Sequence, residues 1–187
     1  MVKNITIWSY LGPFLDTKEY LHLADISKRL NKPHPTVRNY LNLFEEEGIL
    51  IKETKGRLSL YKINPNSPIL VDYLVLAEKE KLIIQCKNDL LMKEIVFFLH
   101  KSLNQDNKAL IFGSAVINLK KANDVDILIT GRLSFGDKIK EFEKKFNKKI
   151  HLINLKNLNM ISESLRTEII KKHLLIQGSE EIIKWLI

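Results

Sequence analysis

The sequence has one cysteine, Cys86, among its 187 residues. A disulfide framework needs pairs and a Cys-rich zinc site needs several, so both are excluded. Nothing then argues against a reducing compartment, and a cytoplasmic protein is expected. Long apolar runs are missing as well. A membrane-spanning helix needs ~20 consecutive apolar residues. The longest stretches here, such as Ile95–Leu99 and Ala109–Phe112, are far shorter. The opening Met1-Val2-Lys3-Asn4-Ile5 lacks the apolar core of a signal peptide. No membrane association is expected. Seven Gly and five Pro exclude collagen-like and low-complexity chains.

What is present fits a globular protein. The apolar fraction is 45% and the charged fraction 28%, which excludes wholesale disorder. The length suits one domain or two small ones. Net charge is +8, from 30 Lys+Arg against 22 Asp+Glu. A basic balance favours an anionic partner such as nucleic acid or nucleotide. The excess is spread over both halves of the chain and does not say which half binds what.

Asn64-Pro65-Asn66-Ser67-Pro68 is the clearest boundary, because two prolines end whatever precedes them. It predicts a first domain over 1–66. A helical connector over 67–104 and a second domain over 105–187 follow. In the first domain the spacing predicts a helix over Ile5–Leu15, an extended piece at Tyr20–Leu23 and a short helix over Ala24–Leu30. A longer helix over Pro35–Glu47 comes next, with Val37, Tyr40, Leu41 and Phe44 facing inward. Gly48 suits a left-handed cap. Ile49–Glu53 and Leu58–Ile63 read as strands joined by the turn Thr54-Lys55-Gly56-Arg57. Beyond the boundary, helices are predicted over Ile69–Cys86, Leu90–Leu103, Phe135–Phe146, Glu163–Lys172 and Ser179–Ile187. Strands are predicted over Lys108–Phe112, Val125–Ile129, Lys149–Leu155 and, at an edge, His173–Gln177.

Two helices around a tight turn, then a glycine and a hairpin, have the shape of a DNA reader. An α-helix fits the major groove, where base edges carry a unique donor and acceptor code. The outward residues near the start of the Pro35–Glu47 helix are Thr36, Arg38, Asn39 and Asn42. Arg can pair bidentately with guanine and Asn with adenine. Lys55 and Arg57 at the hairpin tip can reach phosphate or the minor groove. Leu23-Ala24-Asp25-Ile26-Ser27-Lys28-Arg29-Leu30-Asn31, then Pro35-Thr36-Val37-Arg38-Asn39-Tyr40-Leu41 and Glu47-Gly48-Ile49-Leu50, resemble archaeal winged helix-turn-helix regulators. The resemblance covers about 45 residues and implies binding of double-stranded DNA.

The second domain carries Leu110-Ile111-Phe112-Gly113-Ser114-Ala115 and then Asn123-Asp124-Val125-Asp126-Ile127-Leu128. In a strand, residues i and i+2 share a face, so Asp124 and Asp126 project together. Mg²⁺ typically takes one or two carboxylates plus phosphate oxygens. Gly113 lets backbone approach a phosphate, and Ser114 can donate to it. This Gly-Ser followed by a spaced Asp-x-Asp resembles the polymerase-beta-like nucleotidyltransferases, and the short length resembles their minimal, antitoxin-type members. The resemblance implies that Asp124 and Asp126 hold Mg²⁺ or Mn²⁺ and that Gly113 and Ser114 hold an NTP. Family members commonly carry a third carboxylate on the next core strand. Here that position is expected to hold His151, a poorer Mg²⁺ ligand that could still act as a general base. The Ala-Arg-Gly that many members carry after Gly-Ser is absent too.

The resulting expectation is a two-domain protein, an α+β winged helix-turn-helix followed by an α/β nucleotidyltransferase-like mixed sheet flanked by helices. Its leading function is transcriptional regulation, with a C-terminal domain that binds nucleotide and metal. The alternative is an active nucleotidyltransferase that modifies a protein or RNA. A homodimer is expected, since helix-turn-helix readers usually bind paired half-sites, with the Ile69–Cys86 helix as the dimer element. The antitoxin resemblance implies a toxin-like protein partner. Cys86, His22, His100 and His173 are read as structural, and Trp8 and Trp185 as core or interface anchors.

Overall fold

The computed structural model describes residues 7–15, 17, 19–133 and 138–187. The chain is mixed α/β, with a three-stranded sheet and a four-stranded sheet. It divides into two units, Met1–Glu80 with Leu186–Ile187, and Lys81–Trp185.

The first unit opens with a 3-10 helix, Ile7–Phe14, where an α-helix over Ile5–Leu15 was expected. Pro13 lies inside this segment and cannot donate to an α-helical ladder. Ile5 lies outside the described residues. Tyr10, Leu11 and Phe14 are buried. β1 (Leu21–His22) leads into α1 (Leu23–Leu30) and α2 (His34–Glu46). Asn31 ends α1 in a left-handed conformation, φ 53°, which asparagine tolerates better than most residues. α2 ends in a two-bond glycine cap. Gly48, at φ 74°, donates to the Glu45 carbonyl at 3.0 Å, and Ile49 donates to that of Phe44 at 2.8 Å.

β2 (Leu50–Lys55) and β3 (Leu58–Ile63) form a hairpin, and the sheet order is β1-β3-β2. The connection is tighter than the expected Thr54–Arg57 turn. Thr54 pairs with Ser59 and Lys55 with Leu58, which leaves a two-residue turn of Gly56 and Arg57. Gly56 takes φ 61°, at the position a type II′ turn reserves for glycine.

α3 (Leu70–Asn88) follows the Asn64–Pro68 segment. Its first half belongs to the first unit, so the packing boundary falls inside this helix and not at the prolines. Leu70, Leu74 and Ala77 are buried. The Tyr73 ring meets Phe44 edge-on at 6.1 Å and Trp8 at 5.0 Å. Its hydroxyl donates to Glu47 Oε2 at 2.7 Å, which raises the Tyr73 pKa. The prolines interrupt the helix pattern without interrupting the core.

The second unit contains α4 (Leu90–Ser102), β4 (Lys108–Phe112), α5 (Ser114–Ile117), β5 (Asp124–Thr130), α6 (Lys138–Phe146), β6 (Lys149–Leu155), α7 (Glu163–Lys171), β7 (His173–Gln177) and α8 (Ser179–Leu186). The expected start of α6 at Phe135 lies outside the described residues. Asp89 caps α4 by accepting from the Met92 N–H at 3.1 Å. Met92, Ile95, Val96 and Leu99 of α4, in the stretch expected as a connector, enter the core of this unit. The sheet order is β6-β5-β4-β7. β5 and β6 run parallel, and β4 runs antiparallel to both β5 and β7. Ala109, Ile111, Val125, Ile127, Ile129, Leu174 and Ile176 supply one sheet face to the core. Leu110, Leu128 and Leu175, on the alternate positions, are also fully buried. Strands covered on both faces read as continuous apolar runs, as these do.

Candidate functional site

The first candidate surface is α2 with the hairpin. Val37, Leu41 and Phe44 are 0% exposed, and they lie at the helical spacing that turns one face into the core. Thr36, Arg38 and Asn39 are exposed on the other side. Tyr40 sits between the two faces, stacked on Tyr10 with centroids 4.1 Å apart. Arg57 is exposed at the hairpin turn. Lys55 is exposed beside it and pairs with Glu53 at 3.3 Å.

Asn42 differs from its expected role. It is half-buried, and its Oδ1 accepts from the Tyr61 hydroxyl at 3.0 Å and from Lys52 Nζ at 3.1 Å. Tyr61 is fully buried on β3. Asn42 therefore fastens α2 to the sheet, and its carbonyl is not free for a base edge. Spacing along the helix placed it outward. Only the sheet behind the helix reveals its partners.

The second candidate site lies at one end of the four-stranded sheet. Because β4 is antiparallel to β5 and β5 is parallel to β6, Phe112, Asp126 and His151 line up across the strands. His151 Nδ1 lies 2.9 Å from Asp126 Oδ1. Asp124 and Asp126 are half-exposed and alternate with buried Val125 and Ile127, so the two carboxylates share the sheet's second face. Gly113 follows β4 at φ 75°, ψ −150°. A Cβ at that position would lie 2.8 Å from Asp126 Oδ2 and 3.8 Å from Glu168 Oε1. Ser114 is exposed and opens α5, a single helical turn.

Glu168 was not singled out by sequence. It stands on α7 with no motif around it, and only the fold brings it to Gly113. Among the described residues, no three His, Cys, Asp or Glu side chains are grouped as a metal cage. The donor set fits a Mg²⁺ ion that arrives with its own phosphate ligands, since Mg²⁺ is commonly held by one or two carboxylates plus substrate phosphates.

The other singled-out residues take structural places. His173 is 1% exposed, and its Nδ1 lies 2.8 Å from the Ile169 carbonyl. Cys86 is half-buried, and burial pushes its thiol pKa up, which disfavours the thiolate a nucleophile needs. The Trp185 ring lies 5.4 Å from the Arg166 guanidinium.

Fold and sites together define a mixed α/β protein with an exposed polar helix face carrying Arg38 in one unit and a carboxylate–histidine pair at a sheet end in the other. No family model matches the chain, and no curated protein matches it. Among solved structures it is similar to TrmBL2, described as an archaeal chromatin protein that shows a novel mode of DNA binding. The identity is 14%, the match covers 87% of this chain and 68% of that one, and the TM-score is 0.29. At that score the likeness assigns no residue a role. No described helix is long and apolar enough to cross a membrane.

Proposed function

We propose that the chain is a DNA-binding regulator whose first unit is a winged helix-turn-helix and whose second unit is of the minimal nucleotidyltransferase kind. The observation that carries the first part is the division of α2. One face is fully buried through Val37, Leu41 and Phe44, and the other exposes Thr36, Arg38 and Asn39 near the helix start. Helix-turn-helix readers contact base edges with the N-terminal residues of the second helix. Arg38 serves as the principal base reader, and Arg57 with Lys55 as phosphate contacts. Two half-sites call for a dimer, and exposed Leu76 and Ile83 on α3 make that helix the element to test.

Selection of bound duplexes from a random pool, followed by anisotropy titration, tests this reading. An enriched duplex is expected. Arg38→Ala should cost ~1–3 kcal/mol on it and relax specificity at one position. Arg57→Ala should weaken all duplexes alike and lower the log–log salt slope by about 0.9. A pool without enrichment at low salt overturns it.

The alternative, an active nucleotidyltransferase acting on a protein or RNA, is favoured by one contact, that of His151 with Asp126. In this reading Asp124 and Asp126 hold a divalent ion that neutralises phosphate charge. Gly113 leaves room beside the carboxylates, and Ser114 donates to phosphate. His151 takes a proton at Nε2 while Nδ1 is held by Asp126. Transfer from each α-labelled NTP, with Mg²⁺ or Mn²⁺ and with Asp126→Ala as control, decides between the two. Label on a macromolecule that is lost in the variant establishes an enzyme. No transfer leaves a nucleotide-binding or purely structural domain in a DNA-binding regulator.

A further inference from the structure

The end of the sheet that carries Asp126 and His151 also gathers lysines from three separate loops. Lys120 and Lys121 precede β5, Lys149 opens β6, and Lys171 and Lys172 close α7 just before β7. The strand directions put all three loops at one end. β5 and β6 both start there, β4 finishes there at Phe112, and β7 starts there opposite Phe112. The Gly113 N–H, donating to the Lys172 carbonyl at 3.1 Å, joins the last loop to the Gly-Ser turn.

All five lysines are exposed, and none forms an ion pair among the described residues. Several acids at this end are held by other partners instead. Asp89 accepts from the Met92 N–H, Glu143 from the Ile150 N–H at 2.7 Å, and Asp126 faces His151. Asp124 and Glu168 are the remaining carboxylates beside the Gly-Ser turn. At the opposite end of the sheet Lys108 is paired with Glu181 at 3.0 Å, while Arg132 and Lys156 are exposed.

We propose that this lysine rim is a second nucleic-acid surface, separate from α2, that takes a single strand through its phosphates. Strands lie ~4.8 Å apart, so the three steps from β6 to β7 span about 14 Å. A single phosphate cannot bridge that width, whereas consecutive phosphates along one strand can. Lysine is depleted from protein–protein interfaces, so a rim built from it suits a polyanion better than a protein partner. The five rim residues are all lysines, so recognition is by charge and is indifferent to sequence. The inference needs neither bound metal nor duplex reading by the first unit.

The test uses the full chain and labelled U12 RNA and dT12 DNA, without metal or nucleotide, followed by anisotropy across salt. With five contacts at ~0.7 each, the log–log slope is expected near −3.5, or about 100-fold weaker binding at 200 than at 50 mM salt. A variant with all five lysines changed to Gln should lose that slope and bind at least tenfold more weakly at low salt. Lys120→Gln with Lys121→Gln should remove about 1.4 of the slope. The Arg38→Ala, Arg57→Ala double variant should lose far less of the single-strand affinity than the five-lysine variant. Equal binding of both strands points to the shared phosphates, and preference for U12 assigns the rim to RNA. The proposal is overturned if the five-fold variant binds like the parent, or if binding falls only in the arginine variant. Displacement by inorganic triphosphate or a glutamate 12-mer at equal concentration overturns it as well.

Discussion

His151 Nδ1 sits 2.9 Å from Asp126 Oδ1, across the parallel pair of β5 and β6 where the two residues share a register position. The contact leaves Asp126 one oxygen, Oδ2, turned toward Gly113. It also fixes where a third carboxylate would stand in this sheet.

Replacing His151 by Asp tests whether that position limits metal binding. The change places a second carboxylate beside Asp126 and removes a ring that is a poor Mg²⁺ ligand. Like charges this close repel, and a divalent cation relieves the repulsion. The expected outcome at pH 7 is at least tenfold tighter Mn²⁺ or Mg²⁺ binding by calorimetry, lost again when Asp126→Asn is added. Unchanged affinity would mean that the strand face does not present these groups to an ion.

Gly113 offers a stability test of the same corner. Its φ of 75° with ψ of −150° belongs to backbone that side chains avoid, and a Cβ would lie 2.8 Å from Asp126 Oδ2. Strain of this kind costs on the order of 1–3 kcal/mol. Gly113→Ala should lower the unfolding free energy by that amount and displace the Asp126 carboxylate. Gly12→Ala, where nothing lies within 4 Å, is the control. Equal effects at the two glycines would remove the special role given to Gly113.

Much of this layout was legible because the signals are local. Gly48 ends α2 through a cap that follows from its missing side chain. β6 runs over Lys149–Leu155 and β7 over His173–Gln177, as their apolar runs require. Asp124 and Asp126 share a face through strand periodicity alone. What was not legible depended on distant partners. Ile7–Phe14 reads as an amphipathic α-helix by spacing, and Pro13 turns it to 3-10. Pro65 and Pro68 look like a domain edge, yet Tyr73 carries the first core past them through Phe44 and Trp8. Glu168 reaches Gly113, and three lysine pairs or singles reach one sheet end, only through topology.

Glu181 carries a pH prediction. Its pKa lies below the ordinary 4.5, chiefly because Lys108 donates to it, with help from a backbone hydrogen bond at its own helix start. A carboxylate whose folded pKa is lowered contributes stability above its unfolded pKa and loses it as pH falls through the folded value. The contribution is small, because the pair is largely solvated. Thermal melts of the wild type and Glu181→Gln should converge below pH 4.5 and separate above it. Lys108→Gln should show the same convergence. Parallel curves down to pH 3 would mean that the pair at 3.0 Å contributes nothing to folding.

Asn42 decides between structure and recognition on α2. Its Oδ1 serves both Tyr61 and Lys52, and the Tyr61 ring has no exposed surface. Truncation leaves the buried Tyr61 hydroxyl without its partner, at a cost of ~1–3 kcal/mol. Asn42→Ala is therefore expected to destabilise the chain by that amount, and Tyr61→Phe by less. The double variant should cost less than the sum, since both changes remove one hydrogen bond. Duplex affinity, measured at a temperature where every variant is folded, should fall far less in Asn42→Ala than in Arg38→Ala. If Asn42→Ala instead leaves stability unchanged and abolishes duplex binding, its amide reads a base and the bond to Tyr61 is incidental.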